Sequence, residues 1–469
     1  MVEEIVSKAD EAVATSRNRA FIESSNPTPL PLSQISSSNE NRISLGNGKL
    51  SNGELSNSKL SNSELDRVLG GGLVEGSLVL IGGEPGIGKS TLSLQIPLYC
   101  KHLKTLYVSG EESARQLKLR ADRLSSGMAS APAVSGTAAT PSTAAVSGTP
   151  ATAAGTASDN CLILSETLLE NILNQAKQVK PQLLIIDSIQ TIYSQNIESS
   201  AGSVSQVREC AASLLRFAKE SNTPVILIGH ITKDGSIAGP KVLEHIVDVV
   251  LQFEGDTRHS YRILRSIKNR FGSTAELAVY EMTSEGLKEI LNPSEMFIPI
   301  HENNLSGTAV AAMLDGTRPF LIEIQALVST AAYGTPQRSA TGFDVRRMNM
   351  LLAVLEKRVG FKLAQKDVFL NMAGGLKVSD PACDLAVVAS ILSSNFDVTL
   401  SNDITFAGEI GLSGEIRPVS QIERRITEAA KLGFRQIFVS SYSKIPSGLK
   451  KEIRIMEVSN IQQLVKAIF

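Results

Sequence analysis

The hydrophobic residues between positions 78 and 230 fall into short continuous runs that are separated by longer amphipathic stretches. Continuous runs of Ile, Leu and Val are typical of strands buried on both faces of a parallel sheet, and the stretches between them are typical of crossover helices. The pattern therefore predicts an α/β fold, with parallel strands at Leu78–Gly82, Thr105–Val108, Leu162–Leu164, Leu183–Asp187 and Val225–Gly229.

Three more β-rich runs follow, at Val249–Phe253, Tyr261–Ile267 and Leu277–Met282. They leave no room for helices between them, so they predict that the same sheet continues after the last crossover helix. The dipeptide Asn292-Pro293 then marks a boundary, beyond which a second αβ unit begins. We therefore expect a first domain over residues 65–290 and a second over residues 291–469.

Two segments of biased composition do not fit these domains. Residues 1–64 are rich in Ser, Asn and Glu and stutter from Leu45 with a five-residue period, which matches neither helix nor strand. This composition predicts a flexible N-terminal arm. Residues 125–158 are almost wholly Ser, Ala, Thr, Gly and Pro, and they are expected to form a disordered surface insertion.

Charge and cysteine usage narrow the classes of function. The chain has 46 basic and 47 acidic side chains, so DNA would have to meet a local basic surface. No apolar run approaches the roughly 20 residues of a membrane span, and the N-terminus lacks an apolar secretory core, so a cytoplasmic protein without membrane contact is expected. The cysteines lack zinc-binding spacing, which predicts reduced thiols and no zinc, at Cys100, Cys161, Cys210 and Cys383.

A glycine-rich phosphate loop stands between the apolar run LVLIG and the amphipathic segment TLSLQI. It has the full GxxxxGK[ST] pattern in the strand-loop-helix context that the motif needs, which favours ATP with Mg²⁺ over a merely glycine-rich turn. Lys89 is expected to reach the β- and γ-phosphates and Ser90 to ligate Mg²⁺. The predicted nucleotide contacts are Gly83, Glu84, Pro85, Gly86, Ile87, Gly88, Lys89, Ser90 and Thr91.

Acidic residues follow two of the predicted strands. Asp187 ends the run LLIID and is assigned the second Mg²⁺ contact, since a magnesium-bound triphosphate needs a carboxylate on a neighbouring strand. Glu111 and Glu112 follow the run LYVSG, and we prefer Glu111 as the group that orients the attacking water. The alternative is a carboxylate that only opens the next helix.

Together with the phosphate loop, the segments LDRVLGGGL, GEES, IDSIQ, GHITKDG, GPKVLEH and KNRFG make the chain resemble the RadA/Sms family of bacterial DNA repair proteins. The resemblance runs from Leu65 to Phe469 outside the Ser/Ala/Thr insertion, and the pentapeptide at residues 268–272 is its most specific part. It implies a RecA-like P-loop ATPase core in a homo-oligomeric, hexameric ring. It also implies action on single-stranded or branched DNA, branch migration in homologous recombination, and a RecA-type recombinase as partner.

The pentapeptide brings cations close together in the sequence. On a strand, Arg262, Lys268 and Arg270 share one parity and hence one face. We assign Lys268 and Arg270 a catalytic role, in which a cation supplied to a neighbour's γ-phosphate stabilises phosphoryl transfer. Contact with DNA phosphates and an ordinary solvated strand face are the alternatives.

Residues after the strand expected beside Asp187 are candidates for sensing and DNA contact. His230 is expected to sense the γ-phosphate, although a structural histidine is about equally compatible, and Lys233 is expected to touch DNA. The polar segment Ser194–Ser205 fits either a second pore loop or any surface loop.

From about Pro299 the chain resembles the proteolytic domain of Lon, most visibly in FAGEIGLSGEIRPVSQIERRITEAAKLGF. Lon uses a serine nucleophile that a lysine activates. The resemblance puts Ala382 at the serine position and Glu423 at the lysine position, so no peptidase activity is expected from this Lon-protease-like α/β domain. It would serve as a scaffold for ring assembly, and its cations would contact DNA or form a solvated helix face: Arg346, Arg347, Lys357 and Arg358.

Two further interpretations follow from the resemblance. RadA/Sms proteins begin with a four-cysteine zinc module that is missing here, and residues 1–4 look like those that would follow it, so either a trimmed start or a natural absence is expected. A KaiC-like nucleotide switch that signals to protein partners is the alternative function. Such chains commonly carry two RecA-like halves, and the single phosphate loop here favours the motor.

Overall fold

The continuous apolar runs build two main sheets in the computed structural model, which describes residues 42–45, 63–129, 159–230, 243–255, 260–298, 305–331, 334–449 and 452–469. Along the chain, the strands are β1 (Arg42–Ile43), β2 (Leu73–Val74), β3 (Leu78–Gly83), β4 (Thr105–Ser109), β5 (Cys161–Ser165), β6 (Leu183–Asp187), β7 (Val225–His230), β8 (Val249–Glu254), β9 (Tyr261–Asn269), β10 (Leu277–Thr283), β11 (Gly286–Glu289), β12 (Thr308–Asp315), β13 (Arg318–Thr330), β14 (Arg338–Thr341), β15 (Lys366–Met372), β16 (Ile404–Ala407), β17 (Glu409–Ile410), β18 (Ile416–Arg417), β19 (Gln436–Ser440) and β20 (Arg454–Val458).

The helices lie between or beside the strands along the chain. They are α1 (Ser63–Leu69), α2 (Lys89–Tyr99), α3 (Ala114–Ala129), α4 (Leu169–Val179), α5 (Val204–Ser221), α6 (Ser294–Phe297), α7 (Val345–Val354), α8 (Asp384–Phe396), α9 (Ile422–Lys431) and α10 (Ile461–Ile468). Of these, α2 and α8 are buried over most of their length. A π-type turn and two 3₁₀ turns cover Leu355–Val359, Ala373–Gly375 and Pro381–Cys383.

The first sheet has nine strands in the order β11-β10-β9-β8-β3-β7-β6-β4-β5. From β5 to β8 the neighbouring strands are parallel, and β9 to β11 then join by antiparallel pairing. Antiparallel neighbours need only short connections, which is why the sequence shows no helix between these last strands. The predicted α/β fold, the predicted strands and their helix-free continuation are confirmed.

Burial on both faces holds for the central strands but is wrong for Leu162–Leu164. Every residue of β3, β4 and β6 is buried, whereas Leu162 in β5 is 36% exposed. The reason is position, since β5 lies at the end of the strand order and pairs only with β4. An edge strand can carry the same apolar composition as a central strand, so the run alone does not separate the two.

The second sheet has seven strands in the order β14-β15-β13-β12-β16-β19-β20. The boundary predicted at residue 291 falls between the two sheets, because β11 ends at Glu289 and β12 begins at Thr308. Residues of both sheets nevertheless belong to one apolar cluster, in which the rings of Tyr261 on β9 and Phe297 on α6 lie nearly perpendicular with 5.4 Å between their centroids. The second domain is therefore packed directly on the strand that leads into the KNRFG pentapeptide.

Most of the predicted flexible arm and insertion lies outside the described residues. Of residues 1–64 the structure describes 42–45 and 63–64, and these have defined places. Ile43 pairs with Leu73 and Leu45 is fully buried, so the flexible-arm expectation does not hold there. Helix α3 likewise runs to Ala129, into the segment expected to be disordered, because its amphipathic pattern carries it past the start of the biased composition.

The cysteines and helices of the described chain bear on location and metal binding. Cys100, Cys210 and Cys383 are buried, Cys161 is half-buried, and all are free thiols. Burial raises the pKa of Cys100 and of Cys210 to about 12. Over the described ranges, no helix combines the length and apolar character needed to cross a bilayer, and no group of three or more His, Cys, Asp or Glu side chains is arranged to hold a metal.

Candidate nucleotide site

The phosphate loop connects β3 to α2 and requires glycine at two positions. Gly86 and Gly88 have φ angles of +76° and +116°, which L side chains rarely adopt. At Gly88 a Cβ would also lie 2.8 Å from the Met282 side chain. The loop thus presents backbone to the first turn of α2, where helix N–H groups and the helix dipole favour an anion such as phosphate. Ser90 and Thr91 follow in that turn and are half-buried.

Lys89 is nearly buried, at 3% exposure, and its ammonium is directed at the loop. The Nζ atom donates to the carbonyl oxygens of Gly83 at 2.9 Å and Glu84 at 2.8 Å. Burial lowers the pKa of Lys89 to about 8, and the nearby carboxylates of Asp187 and Glu111 raise it in part. The loop therefore holds a cation whose charge is sensitive to its surroundings, in the place predicted for phosphate contact.

Asp187 ends β6 next to the loop and is held by a residue that the sequence analysis missed. Its Oδ2 atom accepts a hydrogen bond of 2.6 Å from the hydroxyl of Tyr107 on β4, a strand paired with β6. Burial raises the pKa of Tyr107 well above its usual value, so the phenol remains a donor. The register of two predicted strands could have suggested this pair, but a tyrosine in an apolar run gives no separate signal.

The structure distinguishes the two glutamates after β4. Glu111 accepts a 2.7 Å hydrogen bond from Ser188 Oγ, and its Oε1 atom lies 3.6 Å from His230 Nε2. Glu112 instead forms an ion pair with Arg120 on α3. Glu111 thus lies among the site residues, and the helix-associated role that was its alternative describes Glu112.

The side chains of Lys89, Asp187, Glu111 and His230 meet because the parallel strands β3, β7, β6 and β4 are neighbours in the sheet. Their carboxyl ends therefore lie side by side. His230 closes the group from β7, with its Nδ1 atom buried and without a hydrogen-bond partner. Lys233 lies outside the described residues. The oxygen donors Ser90 and Asp187 suit Mg²⁺, which proteins commonly bind through one or two groups together with substrate phosphates.

Lys268 and Arg270 lie at the opposite end of the strands of the same sheet, near the start of β3. Asn269 is paired with Val249, which is paired with Val79 near the start of β3, whereas the phosphate loop follows its end. Lys268 Nζ donates to the backbone carbonyls of Glu244 and Val247. Arg270 forms an ion pair of 3.2 Å with the buried carboxylate of Asp248. Neither cation therefore approaches the phosphate loop of its own chain.

The expected common face of Arg262, Lys268 and Arg270 is wrong. A β-bulge interrupts the pairing of β9 with β8 at Ile267, so residues before and after it change faces. Arg262 is paired with Tyr280 and is 5% exposed, with its guanidinium donating to the carbonyl of Tyr261. Arg270 lies beyond the end of β9.

The two positions that the resemblance to Lon assigns to a serine and a lysine carry no hydroxyl or amine. Ala382 is fully buried, while Glu423 is exposed on α9. Arg347 was expected either to contact DNA or to be solvated, but it forms an ion pair with the fully buried Asp384. The other three cations of that set, Arg346, Lys357 and Arg358, are exposed.

Comparisons with known proteins agree with this architecture. Residues 62–291 match the family model described as ATPase: KaiC, and residues 327–443 match the model for subunit ChlI of Mg-chelatase. The chain is 44% identical to the DNA repair protein RadA of Bacillus subtilis, over 99% of this chain and 92% of that protein. The RadA proteins of Streptococcus pneumoniae and Synechocystis are 46% and 47% identical over 86% and 87% of this chain, covering 89% and 76% of their own lengths. The chain, with its RecA-like P-loop ATPase core and second α/β domain, therefore belongs to the family of the DNA repair protein RadA.

Proposed function

We propose that this chain is a DNA-dependent ATPase, a helicase-like motor that promotes branch migration in homologous recombination and DNA repair. The observation that carries the proposal is that Lys89 lies close enough to Asp187 and Glu111 to feel both charges, while Glu111 also contacts Ser188 and His230. A triphosphate site needs a cation for the phosphates, a carboxylate for the metal and a group that orients water. Membership in a family named for DNA repair supports the cellular role.

In this proposal each side chain has one task. Lys89 holds the β- and γ-phosphates, which replace the carbonyl oxygens of Gly83 and Glu84 as partners of its ammonium. Ser90 and Asp187 would hold Mg²⁺, which neutralises charge on the phosphates when bound. Glu111 orients the attacking water and is itself held by Ser188, and His230 reports the γ-phosphate through Glu111.

Lys268 and Arg270 act on the nucleotide of a neighbouring subunit. Both cations lie at the end of the strands opposite their own phosphate loop, and this position supports action between chains rather than within one. Repetition of such a head-to-tail contact closes a ring, and the family resemblance favours six subunits. Single-stranded or branched DNA and a RecA-type recombinase are the proposed partners, in the cytoplasm. The exposed cations Arg346, Lys357 and Arg358 supply the local positive surface that a chain of net charge −1 needs.

The test measures ATP turnover with and without single-stranded DNA over a range of salt, since phosphate contacts weaken as salt rises. We expect stimulation by DNA, loss of hydrolysis in Lys89→Ala and Lys268→Ala, and retained nucleotide binding in Lys268→Ala. Lys118→Ala is the matched control, because Lys118 is exposed on α3 and pairs with the exposed Asp122. If DNA leaves ATP turnover unchanged at every salt concentration, the KaiC-like nucleotide switch is favoured instead.

A further inference from the structure

The KNRFG pentapeptide forms a turn that packs against a second glycine-containing turn of the chain. The glycine turn, Gly70–Gly72, follows α1, and the pentapeptide turn, residues 268–272, begins with the last two residues of β9 and continues beyond it. A Cβ added to Gly272 would lie 3.1 Å from Gly70 Cα, and one added to Gly70 would lie 3.2 Å from Gly272 Cα. Glycine on both sides therefore lets the two backbones approach. The segment LDRVLGGGL thereby receives a structural role that the nucleotide site does not account for.

The end of α1 depends on the pentapeptide turn for its hydrogen bonds. Gly71 N and Gly70 N donate to the carbonyls of Asp66 and Arg67 at 2.7 and 3.0 Å, the pattern of a Schellman cap. This cap leaves the next two carbonyls of α1 to other donors. The Asn269 side-chain amide is the donor to both of these carbonyls, at 3.4 Å from Val68 O and 3.2 Å from Leu69 O. Its own Oδ1 atom accepts from Phe271 N at 2.9 Å.

Arg42 joins the same two turns from a third segment of the chain. Its Nη1 atom donates to Gly70 O at 2.6 Å and its Nη2 atom to Phe271 O at 2.8 Å, so one guanidinium holds both backbones. Arg42 is itself fixed, because the neighbouring Ile43 pairs with Leu73 and Leu45 is fully buried. The planar fork of arginine suits two fixed carbonyls better than a flexible ammonium does.

We propose that Arg42 and Asn269 are positioning residues for the cations supplied to a neighbouring nucleotide. The proposal rests on the function proposed above for Lys268 and Arg270. Asn269 lies between these two cations in the sequence, so a shift of the pentapeptide turn displaces both of them. Neither Arg42 nor Asn269 contacts the phosphate loop of its own chain, since both lie at the sheet edge away from it.

The first test separates positioning from general stability. We expect Arg42→Ala and Asn269→Ala to lower kcat for ATP by about 10–100-fold, because small displacements of a catalytic group carry costs of that size. KM and the affinity for a fluorescent ATP analogue should stay close to wild type, and the thermal unfolding midpoint should fall by only a few degrees, since each variant loses a few side-chain hydrogen bonds. Arg42→Lys should recover part of kcat, since it keeps the charge with one nitrogen. Arg454→Ala, exposed in the second domain, should change nothing.

The second test mixes subunits so that failure of this proposal can be told from failure of the proposed function. Lys89→Ala subunits have a defective phosphate loop but intact cations, and Arg42→Ala subunits have the reverse. Mixed assemblies should therefore recover ATP turnover above either variant alone, as should Lys268→Ala mixed with Lys89→Ala. Recovery with Lys268→Ala but not with Arg42→Ala overturns the positioning role and leaves the function standing. No recovery in either mixture overturns both, and a loss of nucleotide binding in Arg42→Ala overturns the positioning role directly.

Discussion

The candidate nucleotide site after β3 and the region around Ala382 in the second sheet's domain both contain buried charged side chains, but these charges have different partners. At the candidate nucleotide site, the ammonium of Lys89 donates to two loop carbonyls, and Glu111 remains 47% exposed while it accepts from Ser188. In the second domain, Arg425 and Asp384 are buried and their charges are paired with Asp380 and Arg347.

This difference shows which charged groups remain available to a ligand. Arg425 is 1% exposed, and its guanidinium also donates to the carbonyls of Ala312 and Ser420. Asp384 accepts from Ile410 N as well as from Arg347, and its pKa is raised by burial although the arginine opposes that shift. Charged groups that are paired in this way stabilise one arrangement of the chain. A cation that donates to loop carbonyls, by contrast, can exchange these partners for phosphate oxygens.

The largest effect is expected when the paired charges of the second domain are broken. Arg425→Met leaves Asp380 without its cation, and removing one partner of a buried pair costs about 3–5 kcal/mol. Denaturant unfolding should report this loss in the free energy of unfolding. Lys118→Ala removes an exposed pair with Asp122 and should cost at most about 0.5 kcal/mol. Equal stability of the two variants would mean that the second-domain network is not structural.

The next effect concerns the two adjacent glutamates. Glu111→Gln should lower ATP turnover by about 10²–10³-fold, because the amide cannot accept a proton from water or orient it as well. Glu112→Gln is the matched control, since Glu112 pairs with Arg120 and should change turnover less than about threefold. Steady-state hydrolysis measures both variants. An equal loss of ATP turnover in the two variants would show that the water-orienting role was wrongly given to Glu111.

How far the sequence could predict this contrast depends on the kind of information each residue needs. The phosphate loop and Asp187 could be predicted because both follow continuous apolar runs that form β3 and β6. The contact between Tyr107 and Asp187 could not, since a tyrosine in such a run looks like core. Glu111 and Glu112 are adjacent in the sequence, and what separates them in the structure is the ion pair of Glu112 with Arg120 on the helix that follows.

The errors have a common physical origin in local irregularity and long-range pairing. One extra residue at Ile267 reverses the face of every position beyond it, which moves Lys268 away from the face of Arg262. A bulge of this kind leaves no mark in a pattern of alternating positions. In the sequence, Arg347 resembles any cation on an amphipathic helix. Its partner Asp384 lies 37 positions later, and only the fold brings the two together.

A smaller effect follows from the pKa of Lys89, which burial lowers to about 8. Phosphate binding favours the charged lysine, so affinity for ATP should be constant below pH 8 and fall as pH rises above it. The fall should approach about tenfold per pH unit until the pKa of the bound state is reached. Equilibrium binding of a fluorescent ATP analogue between pH 6.5 and about 9.5 measures it. Lys89→Arg stays charged throughout this range and should remove the dependence.

The smallest effect is expected from restoring the Lon-like pair in the second domain. Ala382→Ser with Glu423→Lys supplies a hydroxyl and an amine, yet we expect no hydrolysis of casein or of a fluorogenic peptide. Residue 382 is fully buried, and its backbone N–H is already held by Asp380, whose carboxylate is bound to Arg425. A serine there would have no access to a peptide, and its own backbone N–H would not be free to donate to a developing oxyanion. Peptide turnover by the double variant that persists after Lys89→Ala would show that this position is open to substrate, and that the two domains differ in side chains alone.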